Sequence, residues 1–174
     1  MLRRLAIAIS LLSIAQPIPA ALPVGAAAPD FRTTGALAGK PFKLHLKDQL
    51  RHGPLVLYFY PKAFTQGCTL EAKAFAEAMP EFRKAGARVV GMSADDMETL
   101  KRFSTEACRS AFPVATASAE TIKAYDVVLK QKPGLTDRTS YVIDRKGRIV
   151  MVHSDLDWKD HVSKTLAAVK LLKQ

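Results

Sequence analysis

Cysteine is scarce in this sequence: Cys68 and Cys108 are the only two among 174 residues. One pair allows at most one intramolecular disulfide. The spacings C-x-x-C and C-x-x-x-C, which serve dithiol oxidoreductases and copper chaperones, are both missing, because Glu71 and Ala72 stand where the second cysteine would be. The segment around Cys68 therefore offers one thiol rather than two.

The first residues follow the three-part pattern of a secretory signal peptide. A basic "MLRR" precedes the apolar "LAIAISLLSIA" and the small-residue stretch "QPIPAALP". The apolar part is too short and too early for a spanning helix, although an uncleaved membrane anchor is the alternative. No cysteine lies near the cleavage region, which excludes a lipoprotein anchor.

We predict cleavage after Ala20 or Ala21, with residues 1–21 as the signal peptide and residues 22–174 as one domain. The mature protein is then exported, to the periplasm of a bacterium or beyond it, without stable membrane association. An oxidising compartment of this kind lets a disulfide form and persist.

Acidic residues are in deficit, 16 against 26 lysines and arginines, which gives a net charge of +10. The basic residues are scattered in segments such as "RKAGAR" and "DRKGR", without interleaved aromatic side chains. A solvated basic surface accounts for this pattern better than a nucleic-acid site, so no nucleic-acid partner is predicted. The chain is long enough for a single domain with a sizeable core.

Buried strands alternate with helices in the predicted order ββ–β–α–β–α–β–α–ββ–α. "LVLYFY" and "ARVVGMSAD" are typical of strands buried on both faces, and "TSYVIDRKGRIVMVHSD" predicts a hairpin. The alternation favours an α/β fold, a mixed sheet with helices on both faces. We expect Pro80 to kink or divide the helix after Cys68. The apolar face of the C-terminal helix is predicted to consist of Trp158, Val162, Leu166, Val169 and Leu172.

Cys68 comes just past the strand "LVLYFY", at the start of the next helix. In such sheets, ligands bind beyond the carboxyl ends of the strands, where helix N-termini point. Unpaired backbone N–H groups and the helix dipole stabilise a thiolate there, and the thiolate is the nucleophilic form of cysteine. Thr65 could hydrogen-bond the thiol or a substrate oxygen, Gly67 allows close backbone approach, and Pro61 could cover the sulfur. The alternative is that Pro61 only ends the strand, Thr65 only caps the helix, and Cys68 is a small buried apolar residue.

The stretch "YFYPKAFTQGCTLEA" resembles the peroxiredoxin signature P-x-x-x-T-x-x-C, with Pro61, Thr65 and Cys68 in the fixed positions. It is most similar to the bacterioferritin-comigratory, or Q-type, subgroup. "VGAAAPDF" and "RVVGMSADDMETLKRF" resemble flanking elements of the family, and "DRTSYVIDRKGRI" places the family's active-site arginine at Arg138. The resemblance covers residues 24–172. It implies a thioredoxin-like α/β/α fold with a central mixed sheet and an N-terminal β extension.

The resemblance implies a thiol peroxidase in which Cys68 is the peroxidatic cysteine, which attacks a hydroperoxide and becomes a sulfenic acid. Thr65 and Arg138 resemble the groups that position the peroxide and stabilise charge on its oxygens. Pro61 resembles the shield of the sulfur. Glu71 matches a glutamate common in the subgroup, which either holds Arg138 by a carboxylate–guanidinium pair or is merely a surface acid of the helix.

Substrates and partners follow from the same resemblance. It implies hydrogen peroxide and organic hydroperoxides as substrates, thioredoxin or a similar dithiol protein as reductant, and a monomer. No cofactor or metal ion is expected, and His153 and His161 are expected on the surface or in the core rather than as metal ligands.

One departure from the subgroup concerns the second thiol. Many Q-type members carry a resolving cysteine five residues after the peroxidatic one, where this chain has Lys73. Cys108, near the end of "METLKRFSTEAC", is similar to the variant whose resolving cysteine lies on the following helix. Because disulfide Cα atoms must come within about 7 Å, we expect residues 65–73 to unfold locally in each cycle.

Three alternatives stay open at this point. The chain could be a one-Cys peroxidase with a structural Cys108. It could be an exported thioredoxin-like thiol-disulfide oxidoreductase, although C-x-x-C is missing. It could also be a secreted binding domain with one structural disulfide, a reading that leaves Thr65, Gly67 and Arg138 unexplained.

Overall fold

A mixed β-sheet runs through the centre of the structure, a computed structural model that describes residues 21–172. Its strands are β1 (Arg32–Leu37), β2 (Lys40–His45), β3 (Leu55–Phe59), β4 (Arg88–Ser93), β5 (Val114–Thr116), β6 (Thr139–Ile143) and β7 (Ile149–Ser154). In the described part of the chain they form one seven-stranded sheet in the order β2-β1-β5-β4-β3-β6-β7. The neighbours β5, β4 and β3 run parallel, and the remaining pairs are antiparallel.

Helices cover both faces of this sheet. They are α1 (Leu46–Leu50), α2 (Gln66–Lys84), α3 (Met97–Glu106), α4 (Ala119–Ala124) and α5 (His161–Leu171). On one face, α2, α3 and α5 pack in a core that includes Val56 and Tyr58 of β3. On the other face, α1 and α4 pack in a core that includes Leu55, Leu57 and Phe59. The predicted three-layer α/β arrangement is therefore confirmed.

The strand β3, which lies between β4 and β6, positions the candidate site. All its residues are buried, because β4 and β6 flank it and helices cover both its faces. Phe59, at its carboxyl end, pairs with Thr139 at the start of the antiparallel strand β6. The residue before β6, Arg138, is thereby brought to the edge of the sheet where β3 leads into the loop before α2.

The structure differs from the predicted elements at two places. Pro80 does not divide α2, which continues through this exposed residue to Lys84. The short helix α1 was not predicted, because five residues are too few for a helical period to stand out.

The predicted apolar face of α5 is confirmed in part, since Val169 is buried and Val162 and Leu166 pack against the core, but the fully buried row is a different one. It consists of His161, Thr165 and Val169, spaced four residues apart, whereas Trp158 precedes the helix and Leu172 is 41% exposed. Two of the three buried side chains are polar. They are tolerated in the core because both form hydrogen bonds there, which a pattern of hydrophobicity does not register.

The predicted signal peptide, apart from Ala21, lies outside the described residues. Within residues 21–172, no helix is both long and apolar enough to cross a membrane.

Candidate active site

Cys68 is the third residue of α2 and is 1% exposed. The first amides of a helix lack partners within the helix, so the sulfur lies where backbone N–H groups are free to point. Thr65 is the N-cap residue in backbone conformation, yet its side chain makes no capping hydrogen bond. Cys68 is a free thiol in this structure, as is Cys108.

The loop before α2 is held at several points. The backbone N–H of Ala63 donates to the Asp95 carboxylate (2.7 Å), which also accepts from the hydroxyl of Ser93 (2.8 Å). Phe64 has a left-handed φ of 64°, and its ring meets Phe103 edge-on with centroids 5.2 Å apart. A bulky residue in this conformation is uncommon and indicates a loop fixed by its surroundings.

The side chains of Thr65 and Pro61 occupy different positions in this loop. The Thr65 hydroxyl donates to the carbonyl oxygen of Lys62 (2.9 Å), so its own oxygen can still accept a hydrogen bond. Thr65 is exposed, and Pro61 is half-buried two residues after the end of β3. Thr65 thus presents a hydrogen-bond acceptor in the turn that leads to Cys68.

Arg138 joins Cys68 to two other groups. One terminal nitrogen, Nη2, lies 3.4 Å from the Cys68 sulfur, and the other donates to the Glu71 carboxylate. Nε donates to the backbone carbonyl of Leu156 (2.8 Å). A guanidinium group bonded on three sides has a fixed plane, so its direction toward the sulfur is set by the fold.

The electrostatics of Arg138 follow from these partners. Burial lowers the pKa of its guanidinium group, but the nearby Glu71 and Cys68 raise it, and the net shift is upward. Arg138 therefore carries a permanent positive charge beside the thiol, at a position that is only 5% exposed.

Glu71 lies one turn after Cys68 and is fully buried. Of the two roles considered for it, the structure shows the pair with Arg138 and not a surface acid. Burial raises the pKa of the Glu71 carboxyl to about 8, although the charge and hydrogen bond of Arg138 act in the opposite direction.

Several contacting residues were not predicted from the sequence. Ser140 and His161 lie behind Glu71, and Trp158 lies beside Gly67, where an added Cβ would be 3.7 Å from the indole ring. His161 is buried in the core, which agrees with the expectation that it lies on the surface or in the core. The only sequence signal for it was the four-residue spacing with Thr165 and Val169.

Cys108 follows α3 and is fully buried in the same core cluster as Cys68. Its backbone N–H donates to the carbonyl of Phe103 (3.0 Å). Burial raises the pKa of the Cys108 thiol well above its ordinary value. The next two residues, Arg109 and Ser110, both have left-handed φ angles, 50° and 55°. The structure brings Cys68, Glu71 and Arg138 together and leaves Cys108 outside this group.

Residues 24–152 match the family model described as AhpC/TSA family. The chain belongs to the AhpC/TSA family. Within it, the chain is 34% identical over 123 residues to "Peroxiredoxin Bcp" of Xanthomonas campestris, covering 67% of this chain and 76% of that one. It is 33% identical over 162 residues to the chloroplastic peroxiredoxin Q of Populus jackii, covering 92% of this chain and 74% of that one.

A solved structure agrees with this assignment. The crystal structure of Peroxidoxin BcpB from Mycobacterium tuberculosis superimposes with a TM-score of 0.75 at 31% identity, over 87% of this chain and 98% of that one. The predictions of a thioredoxin-like fold, of a peroxiredoxin of the bacterioferritin-comigratory or Q-type subgroup, and of a thiol peroxidase are confirmed.

Proposed function

We propose that this peroxiredoxin reduces hydrogen peroxide and organic hydroperoxides with Cys68 as the peroxidatic cysteine and Cys108 as the resolving cysteine. The observation that carries the proposal is the 3.4 Å contact between Arg138 Nη2 and the Cys68 sulfur at the N-terminus of α2. A fixed positive charge and free backbone N–H groups at one sulfur stabilise its thiolate.

In the first step the Cys68 thiolate attacks the terminal oxygen of the hydroperoxide. The S–O bond forms as the O–O bond breaks, the sulfur is oxidised to sulfenic acid, and the leaving oxygen takes up a proton to become water or an alcohol. Arg138 donates to the peroxide oxygens as charge develops on them. The Thr65 oxygen accepts the hydrogen bond of the hydroperoxide O–H, since its own proton is directed at Lys62. Pro61 covers the sulfur from the side of the loop.

In the second step the Cys108 thiolate attacks the Cys68 sulfenic acid, an S–S bond forms and water leaves. Both sulfurs are buried, and burial disfavours the Cys108 thiolate, so this step needs local opening. Residues 65–73 unwind on one side. Near Cys108, Arg109 and Ser110 both have left-handed φ angles, which cost conformational energy. The segment after Cys108 therefore also opens readily.

We also propose where this cycle takes place and which protein reduces the disulfide. The signal peptide directs the mature chain, a monomer, to the periplasm or the medium, where the Cys68–Cys108 disulfide is reduced by thioredoxin or a similar dithiol protein. The basic segment followed by an apolar one at the start of the chain supports export. A one-Cys enzyme with a structural Cys108, or a thiol-disulfide oxidoreductase, is the competing reading.

The test is mass spectrometry of reduced protein spanning residues 22–174 after one equivalent of hydrogen peroxide. We expect the wild type to lose two hydrogen atoms and yield a Cys68–Cys108 cross-linked peptide. Cys108→Ser should instead retain one added oxygen at Cys68, which a sulfenic-acid reagent captures, and Cys68→Ser should be unchanged.

Turnover with a thioredoxin separates the alternatives. The wild type should consume peroxide continuously, and Cys108→Ser should stop or accumulate sulfinic acid. Sustained turnover by Cys108→Ser at the wild-type rate would contradict the resolving role. Peroxide consumption that survives Cys68→Ser would contradict the peroxidatic role.

A further inference from the structure

The second carboxylate oxygen of Glu71 is in an unusual position. Oε2 accepts from Arg138, but Oε1 is buried and has no hydrogen-bond partner among the described residues. The nearest polar atom recorded for it is Nδ1 of His161, at 3.7 Å, and both side chains are fully buried. A buried carboxylate oxygen without a donor is costly, so the arrangement needs an explanation.

The other contacts of His161 define its protonation. Nε2 lies 2.9 Å from the backbone carbonyl of Asp155, which can only accept, so Nε2 carries a proton. Burial lowers the pKa of His161 to about 4, so the ring is neutral and Nδ1 is an acceptor. Nδ1 accordingly accepts from the hydroxyl of Ser140, at 2.8 Å.

Two acceptors therefore face each other across 3.7 Å: Oε1 of Glu71 and Nδ1 of His161. If the carboxylate is ionised, no proton lies between them. If one proton is added to Oε1, the repulsion between the two acceptors disappears. The single lone pair of Nδ1 accepts from Ser140, so this proton stays on Glu71. The raised pKa of Glu71, about 8, agrees with a proton held on its side of the pair near neutral pH.

Charged and titratable groups face this pair from every neighbouring element. They are Tyr58 on β3, Cys68 on α2, Arg138 before β6, His153 on β7, Asp155 after β7, and Lys164 on α5, which approaches His153. Arg138 is the only one of them that connects the pair directly to the Cys68 sulfur.

We propose that Glu71 holds one exchangeable proton on the oxygen that faces His161, and that this proton controls how much of the Arg138 charge acts on Cys68. With the proton present, Glu71 is neutral and the positive charge of Arg138 is directed at the thiolate and the peroxide. Without it, the Glu71 carboxylate neutralises Arg138 and the reaction at Cys68 slows. His161 is a positioning residue in this scheme, which rests on the proposed peroxidase function.

The kinetic test follows oxidation of the reduced protein by hydrogen peroxide, from about pH 6 to about pH 9. Trp158, the single tryptophan, lies beside Gly67 and supplies the fluorescence signal. We expect the wild-type rate to fall about three- to tenfold as the pH rises through the titration of the pair. Glu71→Gln cannot ionise and should show no such fall.

His161→Gln tests the position of the midpoint. Its amide can donate permanently to Oε1, which favours the carboxylate, so the midpoint should move about one pH unit or more downward. Ser154→Ala is the matched control, because it removes a hydroxyl of the same hairpin that pairs with Thr139 and not with His161. Its profile should match that of the wild type.

An infrared measurement tests the proton without turnover. The reduced wild type near neutral pH should show the carbonyl stretch of a buried protonated carboxyl, which disappears in Glu71→Gln and at high pH. Absence of that band would overturn the proposal, as would a His161→Gln variant whose rate drops equally at every pH with an unmoved midpoint. Failure of the wild type to react with peroxide would instead overturn the proposed function, because the infrared result does not depend on it.

Discussion

Arg138 and Cys68 are 70 residues apart in the sequence, and the guanidinium Nη2 lies 3.4 Å from the sulfur. The contact exists because β6 runs antiparallel to β3, so that the residue before β6 meets the loop after β3. Glu71 and the Leu156 carbonyl bind the rest of the guanidinium group. One side chain therefore links α2, through Cys68 and Glu71, to the segment that follows β7, through Leu156.

Replacing Arg138 by lysine should show how much of the Cys68 oxidation rate depends on the positive charge and how much on the fixed direction of its N–H groups. Lysine keeps the positive charge but is a single flexible ammonium group, so it cannot bond Cys68, Glu71 and Leu156 together. We expect Arg138→Lys to slow Cys68 oxidation about 10²- to 10³-fold, as when one preorganised donor is lost. Stopped-flow kinetics with hydrogen peroxide measures this change.

The control for that variant is Arg148→Lys. Arg148 lies on the exposed turn between β6 and β7 and donates to the carbonyl of Gly25, away from the thiol. Its rate should stay within about twofold of the wild type, as for an ordinary surface change. An Arg138→Lys enzyme that reacted as fast as this control would show that charge alone suffices.

Gly67→Ala should affect rate and stability in opposite directions. A Cβ at Gly67 would lie 3.2 Å from Arg138 Nη2, which must shift by a few tenths of an ångström away from its position near the sulfur. We expect Cys68 oxidation to slow about three- to tenfold, since catalytic groups tolerate little displacement. The free energy of unfolding should be unchanged or should rise by up to about 1 kcal/mol, because alanine favours the helix.

Gln66→Ala is the matched variant for Gly67→Ala. It changes the neighbouring residue of the same helical turn, where the side chain is exposed. We expect no change in its oxidation rate. A slow Gln66→Ala variant, or a Gly67→Ala variant with unaltered kinetics, would contradict the contact argument.

The parts of the site that were predictable are those encoded locally. "LVLYFY" identifies β3 by its apolar run, and the residues from Pro61 to Cys68 fall within one loop and one helical turn. Arg138 required the resemblance, because nothing in its neighbourhood distinguishes it from the other arginines of a basic chain. The strand pairing Phe59–Thr139 that brings it to Cys68 is a long-range property.

The surroundings of Glu71 were not predictable for a different reason. Ser140, Glu71 and His161 come from a strand and two helices, and all three are polar residues buried in the core. Hydrophobic periodicity places polar residues on the surface by default, so it gives no signal for a buried polar cluster. This is why the sequence left the choice open between a surface acid and a partner of Arg138.

The free energy of unfolding should depend on pH through Glu71. The pKa of its carboxyl is raised from 4.5 to about 8 in the folded protein, so the folded state holds a proton that the unfolded state releases in between. This contribution is fully present below the unfolded pKa and is lost as the pH rises toward about 8. Between pH 6.5 and about pH 7.5, His161 opposes this trend to a smaller extent, because its pKa is about 4 in the folded state while the unfolded side chain still binds part of a proton. Glu71→Gln retains His161 and therefore this opposing effect.

We therefore expect the wild type to lose about 1–2 kcal/mol of stability from Glu71 between pH 6.5 and pH 8, at up to about 1.4 kcal/mol per pH unit. Denaturant unfolding of the reduced protein at several pH values measures how the free energy of unfolding changes with pH. Glu71→Gln should have a flatter profile over this interval. Parallel profiles of the two proteins would show that Glu71 is ionised throughout.

Tyr58 and Tyr141 offer a matched pair of hydroxyl deletions. Both are fully buried, on β3 and β6 respectively. The Tyr58 ring stacks on Phe75 with centroids 4.4 Å apart, and its hydroxyl has no hydrogen-bond partner among the described residues. The Tyr141 hydroxyl donates to the carbonyl of Tyr125 (2.7 Å) and accepts from the backbone N–H of Leu22 (3.1 Å).

Because an unpaired buried hydroxyl is unfavourable, Tyr58→Phe should raise the free energy of unfolding by about 1 kcal/mol. Tyr141→Phe leaves two backbone groups without their partner and should lower it by about 1–3 kcal/mol. Denaturant unfolding of the two variants side by side gives both values. Destabilisation of equal size in both would mean that the Tyr58 hydroxyl does have a hydrogen-bond partner in solution.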